Sequence, residues 1–199
     1  DRSVSRGLGD VYKRQELGGS DIHKINGVVD NVAENEMDAF DQIKKFLSFM
    51  PQNIYEAVDR KDCNDPIDRA DKKLESIVPK DRKKTYEMRE IIKSISDDND
   101  FFEITNFYGR GIITGFIRLN GYSAGIFAND SNFYAGSMTA DNAKKTSRFI
   151  KLCDQFNIPI ISLVDEPGFL IGPEAEKDAT ILHGTEAVLS AVDSSVPWC

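Results

Sequence analysis

The run Asp165-Glu166-Pro167-Gly168-Phe169-Leu170-Ile171-Gly172 follows the apolar stretch IPIISLV and combines two carboxylates with two glycines and a proline. Glycine lets a backbone turn its N–H groups outward, and N–H groups presented in that way can hold negative charge developing on an oxygen. The turn is therefore a candidate oxyanion hole, placed at the C-terminal end of a strand, where ligands of open α/β sheets gather. A helix starting just beyond it would add positive potential. The same Pro-Gly pair also makes an ordinary tight strand-to-helix turn, and the local pattern leaves both readings open. Asp165 and Glu166 do not read as an acid–base pair, because neighbours on an extended chain point to opposite faces. His183, on a helix, reads as a packing or hydrogen-bonding residue rather than a catalyst, and His23 carries no stronger signal. The three cysteines Cys63, Cys153 and Cys199 lie far apart without a C-x-x-C spacing, so neither a disulfide framework nor a metal site is expected.

The elements that must position this turn follow from periodicity. Apolar residues Met37, Phe40, Ile43, Phe46, Leu47 and Met50 recur at three and four, predicting a helix over 35–50 that Pro51 stops. Residues 51–84 lose that pattern and read as a linker. A short amphipathic helix is predicted over 86–95. Strand signals come next at 101–104, 111–119 and 122–128. Asn120-Gly121 between the last two is the preferred pair for a type I′ turn, which predicts a hairpin. Thr139 or Asp141 caps a helix over 140–156, and the near-continuous apolar run 158–165 predicts a strand covered on both faces. A single helix is expected from about 174 to 193. Val196, Pro197 and Trp198 then read as the beginning of another strand. Helix, buried strand, glycine loop and helix make an α/β layer architecture with a crossover connection.

Bulk composition narrows the function classes. The chain has 199 residues, 40% hydrophobic and 29% charged, which suffices for one core. A net charge of -8 argues against a general nucleic-acid binder, since phosphate binding draws on surplus Lys and Arg. No apolar run approaches bilayer-spanning length, so no membrane span is expected, and the cysteine usage fits a reducing, cytoplasmic setting. Residues 1–15, DRSVSRGLGDVYKRQ, share no periodicity with the residues after Gln15 and resemble a translated adaptor or assembly scar, a non-native leader. Truncation at both ends is the expectation. Apolar residues such as Ile160, Leu163, Phe149 and Leu189 would then lack partners.

From Glu16 onward, the run ELGGSDIHKINGVVDNVAENEMDAFDQIKKFLSFMP is followed by YEMREIIKSISDDNDFFEI, GRGIITGFIRLNGYSAGIFAN, KKTSRFIKLCDQFNIPIISLVDEPGF and HGTEAVLSAVDSSVPW. On these runs the chain resembles the acyl-CoA carboxylase carboxyltransferase family, of the propionyl-CoA carboxylase beta-subunit type. The resemblance implies a crotonase-like (ClpP/crotonase) carboxyltransferase fold, incomplete at both ends. Residues 16–84 would hold the end of an N-terminal half plus linker, and 85–199 the beginning of a C-terminal half. It implies transfer of a carboxyl group between carboxybiotin and an acyl-CoA, with backbone N–H groups rather than a nucleophile doing the electrostatic work. Gly168 and Phe169 would be the catalytic, biotin-facing residues, Gly172 would shape their loop, and Gly18 and Gly19 would lie near the coenzyme A thioester. Two further glycine-rich elements of the family would fall before Glu16 and after Cys199, so the chain alone is expected to be inactive. Implied partners are a biotin carboxylase, a biotin carboxyl carrier and further copies of the same subunit. Glu166, where the family often has Val or Thr, and the run 176–180 depart from the pattern and leave the acyl group open. A crotonase-class hydratase or decarboxylase without biotin, and a non-catalytic scaffold, are the alternative readings.

Overall fold

The computed structural model describes residues 18–81 and 83–199. The expected leader at 1–15 lies outside the described residues. In chain order the elements are α1 (Ser20–His23), α2 (Glu36–Leu47), α3 (Leu74–Ile77), α4 (Met88–Ile95), β1 (Phe102–Ile104), β2 (Ile112–Leu119), β3 (Tyr122–Asn129), α5 (Ala140–Gln155), β4 (Ile160–Leu163), α6 (Pro173–Lys177) and α7 (Thr180–Asp193). One four-stranded sheet runs in the order β1-β2-β3-β4. The β1–β2 and β2–β3 pairs are antiparallel, and β3–β4 is parallel, with α5 as the crossover. Asn120 and Gly121 have φ of 51° and 80°, so both central turn residues take the left-handed conformation that the type I′ turn demands.

Alternation along β2 sends Phe116 to one face of the sheet and Ile113 and Ile117 to the other. On the first face Phe116 packs with Phe149, Ile150 and Cys153 of α5 and with Phe49, just after α2. On the second, Ile113, Ile117 and Ile126 pack with Met88 and Ile92 of α4. Helix α5 begins where Thr139 accepts a hydrogen bond from the Asn142 N–H, which satisfies one of the unpaired donors of the first turn. Helix α2 is capped in the same way by Asn35, which accepts from Asp38 N–H. Arg89 of α4 forks onto Glu103 of β1 at 2.8 and 2.6 Å and reaches buried Asp130 at 2.7 Å, tying that helix to the sheet with charge-assisted bonds.

Four expectations change. The predicted long helix over 174–193 is two helices, broken where Ala179 turns left-handed at φ 54°. The strand at 158–165 is shorter and only partly covered: Ile160 is buried, Ile161 to Leu163 are half-buried and Val164 is exposed. Of the four apolar residues expected to lack partners, Phe149 and Ile160 sit in the core at 3% and 1% exposure, whereas Leu189 stays 54% exposed. The helix predicted to continue to Met50 ends at Leu47, four residues before Pro51. Beyond α7 the strand-like tail does pair: Ile160 N–H donates to Pro197 O and Cys199 N–H to Ile160 O, a parallel bridge centred on Trp198.

Candidate functional site

Residues 164–172 leave β4 and cross the C-terminal end of the sheet. Their backbone is pinned at two places. At the entry, Asp165 N–H donates to the side-chain oxygen of Asn129 at 3.1 Å. Further on, Met138 N–H donates to Gly168 O and Leu170 N–H to Met138 O, both at 2.9 Å, a one-rung parallel bridge. Between the pins, Pro167 has no N–H, and the N–H groups of Gly168 and Phe169 donate to no acceptor among the described residues. An unengaged backbone N–H is a donor that a developing oxyanion can use. Gly168 and Gly172 have φ of 121° and 128°, open to glycine and rare for other residues, with nothing within 4 Å of where a Cβ would stand.

The Phe169 ring lies against α7 at Gly184. An added Cβ there would stand 2.1 Å from Phe169 Cε1, which accounts for the glycine beside His183. Gly184→Ala should therefore swing the ring outward. Because Phe169 is already 42% exposed, the stability loss should be about 1 kcal/mol or less. Amide exchange at Leu170, next to the displaced ring, should accelerate while the urea midpoint barely moves; an unchanged exchange rate would show that the ring does not hold the loop.

The carboxylates behave as expected for opposite faces. Asp165 accepts from the Tyr86 hydroxyl and Glu166 from the Asn129 amide at 3.1 Å. Burial, then the Asp165 carboxylate, pushes the Tyr86 phenol above its ordinary range, so it stays a donor. His183 bonds Glu186 of its own helix at 2.8 Å, the modest role its type suggested. The helix expected to add potential to the loop is α6, five residues long with Glu174 and Glu176 in its first turn, whose carboxylates offset the positive potential of its N-terminus. Gly18 and Gly19 lie at α1, with Gly19 as its N-cap, and no hydrogen bond among the described residues joins them to the loop. A cavity of about 540 Å³ between α2, β1 and α5 and one of about 270 Å³ beside Trp198 are both lined by residues other than 165–172. Gly168 is half-buried and Phe169 exposed. Asn129, 2% exposed at the end of β3, is the contributor that periodicity missed, since an Asn after a strand reads as a turn residue.

A four-stranded sheet with a parallel β3–β4 pair, a crossover helix and a glycine-containing loop after β4 defines an α/β protein. The chain belongs to the carboxyl transferase domain family, whose model matches residues 2–199. It is 35% identical to the mouse mitochondrial propionyl-CoA carboxylase beta chain over 92% of its own length and 34% of that protein's. It is 37% identical to the methylmalonyl-CoA decarboxylase subunit alpha of Veillonella parvula, over 95% of this chain and 37% of that one. Among solved structures it superposes with TM-score 0.90 and 36% identity on a transcarboxylase 12S solved with methylmalonyl-coenzyme A and methylmalonic acid bound, covering 94% of this chain and 37% of that one. The chain spans about a third of the length of these relatives. Among the described residues no helix is long and apolar enough to cross a membrane.

Proposed function

We propose that this chain is part of a carboxyltransferase subunit that moves a carboxyl group between carboxybiotin and an acyl-CoA. The observation that carries the reading is the pair of unengaged amides at Gly168 and Phe169, held between two backbone pins. Two backbone N–H groups without an acceptor among the described residues are donors available to a biotin ureido oxygen. Biotin, when bound in its carboxylated form, supplies the carboxyl group. The chain's own part is to donate those two hydrogen bonds to an oxygen that gains charge as the carboxyl leaves, and Gly172 lets the loop turn away towards α6.

On this reading Gly18 and Gly19 border the coenzyme A thioester. The subunit works with a biotin carboxylase and a biotin carboxyl carrier in a reducing, cytoplasm-like compartment. Further copies of itself cover the exposed apolar side of α7, where Ile181, Val188, Leu189 and Val192 are all more than half exposed. The transcarboxylase relative is described as a hexamer, which supports that assembly.

The test is label exchange in a complete subunit containing this segment: radiolabel in a carboxylated acyl-CoA should appear in the unlabelled acyl-CoA's carboxylated form only when biotin is added. Exchange that ignores biotin, or hydration of an enoyl-CoA instead, would move the chain to another branch of thioester chemistry.

A further inference from the structure

The geometry points to Asn129 as a positioning residue for the Gly168 and Phe169 amides, acting through the loop and not on a ligand; this rests on the biotin-side reading of that loop. Asn129 is buried at the end of β3, yet its amide uses both ends. Its Oδ1 accepts from Asp165 N–H at 3.1 Å, while its Nδ2 donates to Gly136 O at 3.0 Å and to Glu166 Oε2 at 3.1 Å. The orientation is unambiguous, because a flipped amide would set NH2 against an N–H and oxygen against a carbonyl and a carboxylate. Gly136 belongs to the turn that delivers Met138, and Met138 forms the second pin at Gly168 O and Leu170 N–H.

One side chain thus references both pins to the end of β3. The chain enters the loop at Asp165 and Glu166 under its direct hold, and the strand segment that grips Gly168 and Leu170 is registered to it through Gly136. The Gly168 N–H lies between these points, and the Phe169 N–H shares its planar peptide with the Gly168 O that Met138 holds. The direction of each donor therefore follows the pins on either side of it. Glu166 adds a second hold on the loop entry, because its carboxylate accepts from the same Asn129 amide.

Asn129→Asp isolates the idea. The acidic side chain keeps the acceptor for Asp165 N–H but turns an oxygen towards Gly136 O and Glu166. Glu166→Gln in the same background restores a donor across the second contact. In a complete subunit assayed with free biotin, Asn129→Asp should lower kcat/KM for biotin roughly tenfold or more, with the KM for acyl-CoA unchanged, since small misplacements of catalytic donors cost rate. The double variant should recover part of that loss, because the contact to Gly136 O stays without a donor. Unaltered biotin kinetics in the single variant, no recovery in the double, or an equal shift in acyl-CoA KM each overturns the proposal.

Should Asn129→Asp fail to fold, Asn129→Ser, shorter and uncharged, gives up the reach to Gly136 O and Glu166 and should lower kcat/KM for biotin by a similar factor with the acyl-CoA KM unchanged; no change there also overturns it. Gly168→Ala is run in parallel. If biotin kinetics ignore Gly168→Ala, the biotin reading itself falls and this inference with it. If they respond to Gly168→Ala but not to Asn129→Asp, the inference about Asn129 alone is wrong.

Discussion

Gly168→Ala is expected to abolish most carboxyl transfer in a complete subunit while leaving the fold almost untouched. A Cβ at 168 meets nothing within 4 Å, so the penalty is not a clash. It is the backbone: φ is 121°, where an L side chain is strained by roughly 1–3 kcal/mol. The loop relieves that strain by rotating the 167–168 peptide, which carries the Gly168 N–H, since the 168–169 peptide is held by Met138 N–H on Gly168 O. The rotation falls on the proposed Gly168 donor. Losing one oxyanion donor costs about a hundredfold or more in turnover, so kcat should fall by that order with the acyl-CoA KM unchanged. Gly172→Ala is the control. It carries a similar φ of 128° but caps α6 outside the pinned interval, so its effect on kcat should be several times smaller. Equal losses in the two variants would mean that loop stiffness, not donor direction, limits the reaction.

Local chemistry explains which parts of this fold could be read in advance. The hairpin was legible because Asn120-Gly121 encodes its turn without outside help, and the start of α5 was legible because Thr139 is a self-contained cap. The break between α6 and α7 was not. Nothing in Lys177-Asp178-Ala179-Thr180 is a strong helix stop, and the interruption is held by Ala179 in a left-handed conformation while the Thr180 hydroxyl donates to Ala175 O. Partial cover of β4 was equally invisible, since an apolar run reports what a strand can bury and not what lies over it. At the candidate site, the glycines marked the loop but not its pins. Met138 meets Phe169 across 31 residues of sequence, and the two ends of the Asn129 amide serve segments 7 and 36 to 37 residues away. Contacts of that range leave no periodic trace.

Lys145 is the other residue that patterning could not place, and its replacement should give the largest stability change. It lies on α5, 2% exposed, and its ammonium donates to Ile112 O at 2.6 Å, Thr105 O at 2.8 Å and Gly109 O at 3.5 Å, joining the end of β1, the following turn and the start of β2. Methionine fits the space but leaves carbonyls without a donor, at about 1–3 kcal/mol in all. Burial pushes the Lys145 pKa down to about 7, whereas an unfolded lysine titrates near 10.4. The folded chain therefore releases this proton first, and between those values the unfolded state binds more protons, so stability rises with pH. Urea unfolding of the chain at pH 6.5 and 9 should show the wild type gaining up to about 2 kcal/mol across that interval. Lys145→Met, with nothing to titrate at this site, should lack that share of the gain, making the variant's deficit larger at pH 9 than at pH 6.5. A wild type no more stable at pH 9, relative to the variant, than at pH 6.5 would mean that the three carbonyls keep the ammonium charged within the fold. Burial would then have been outweighed by hydrogen bonding, and the site would be a fixed positive charge behind the sheet face that α5 covers.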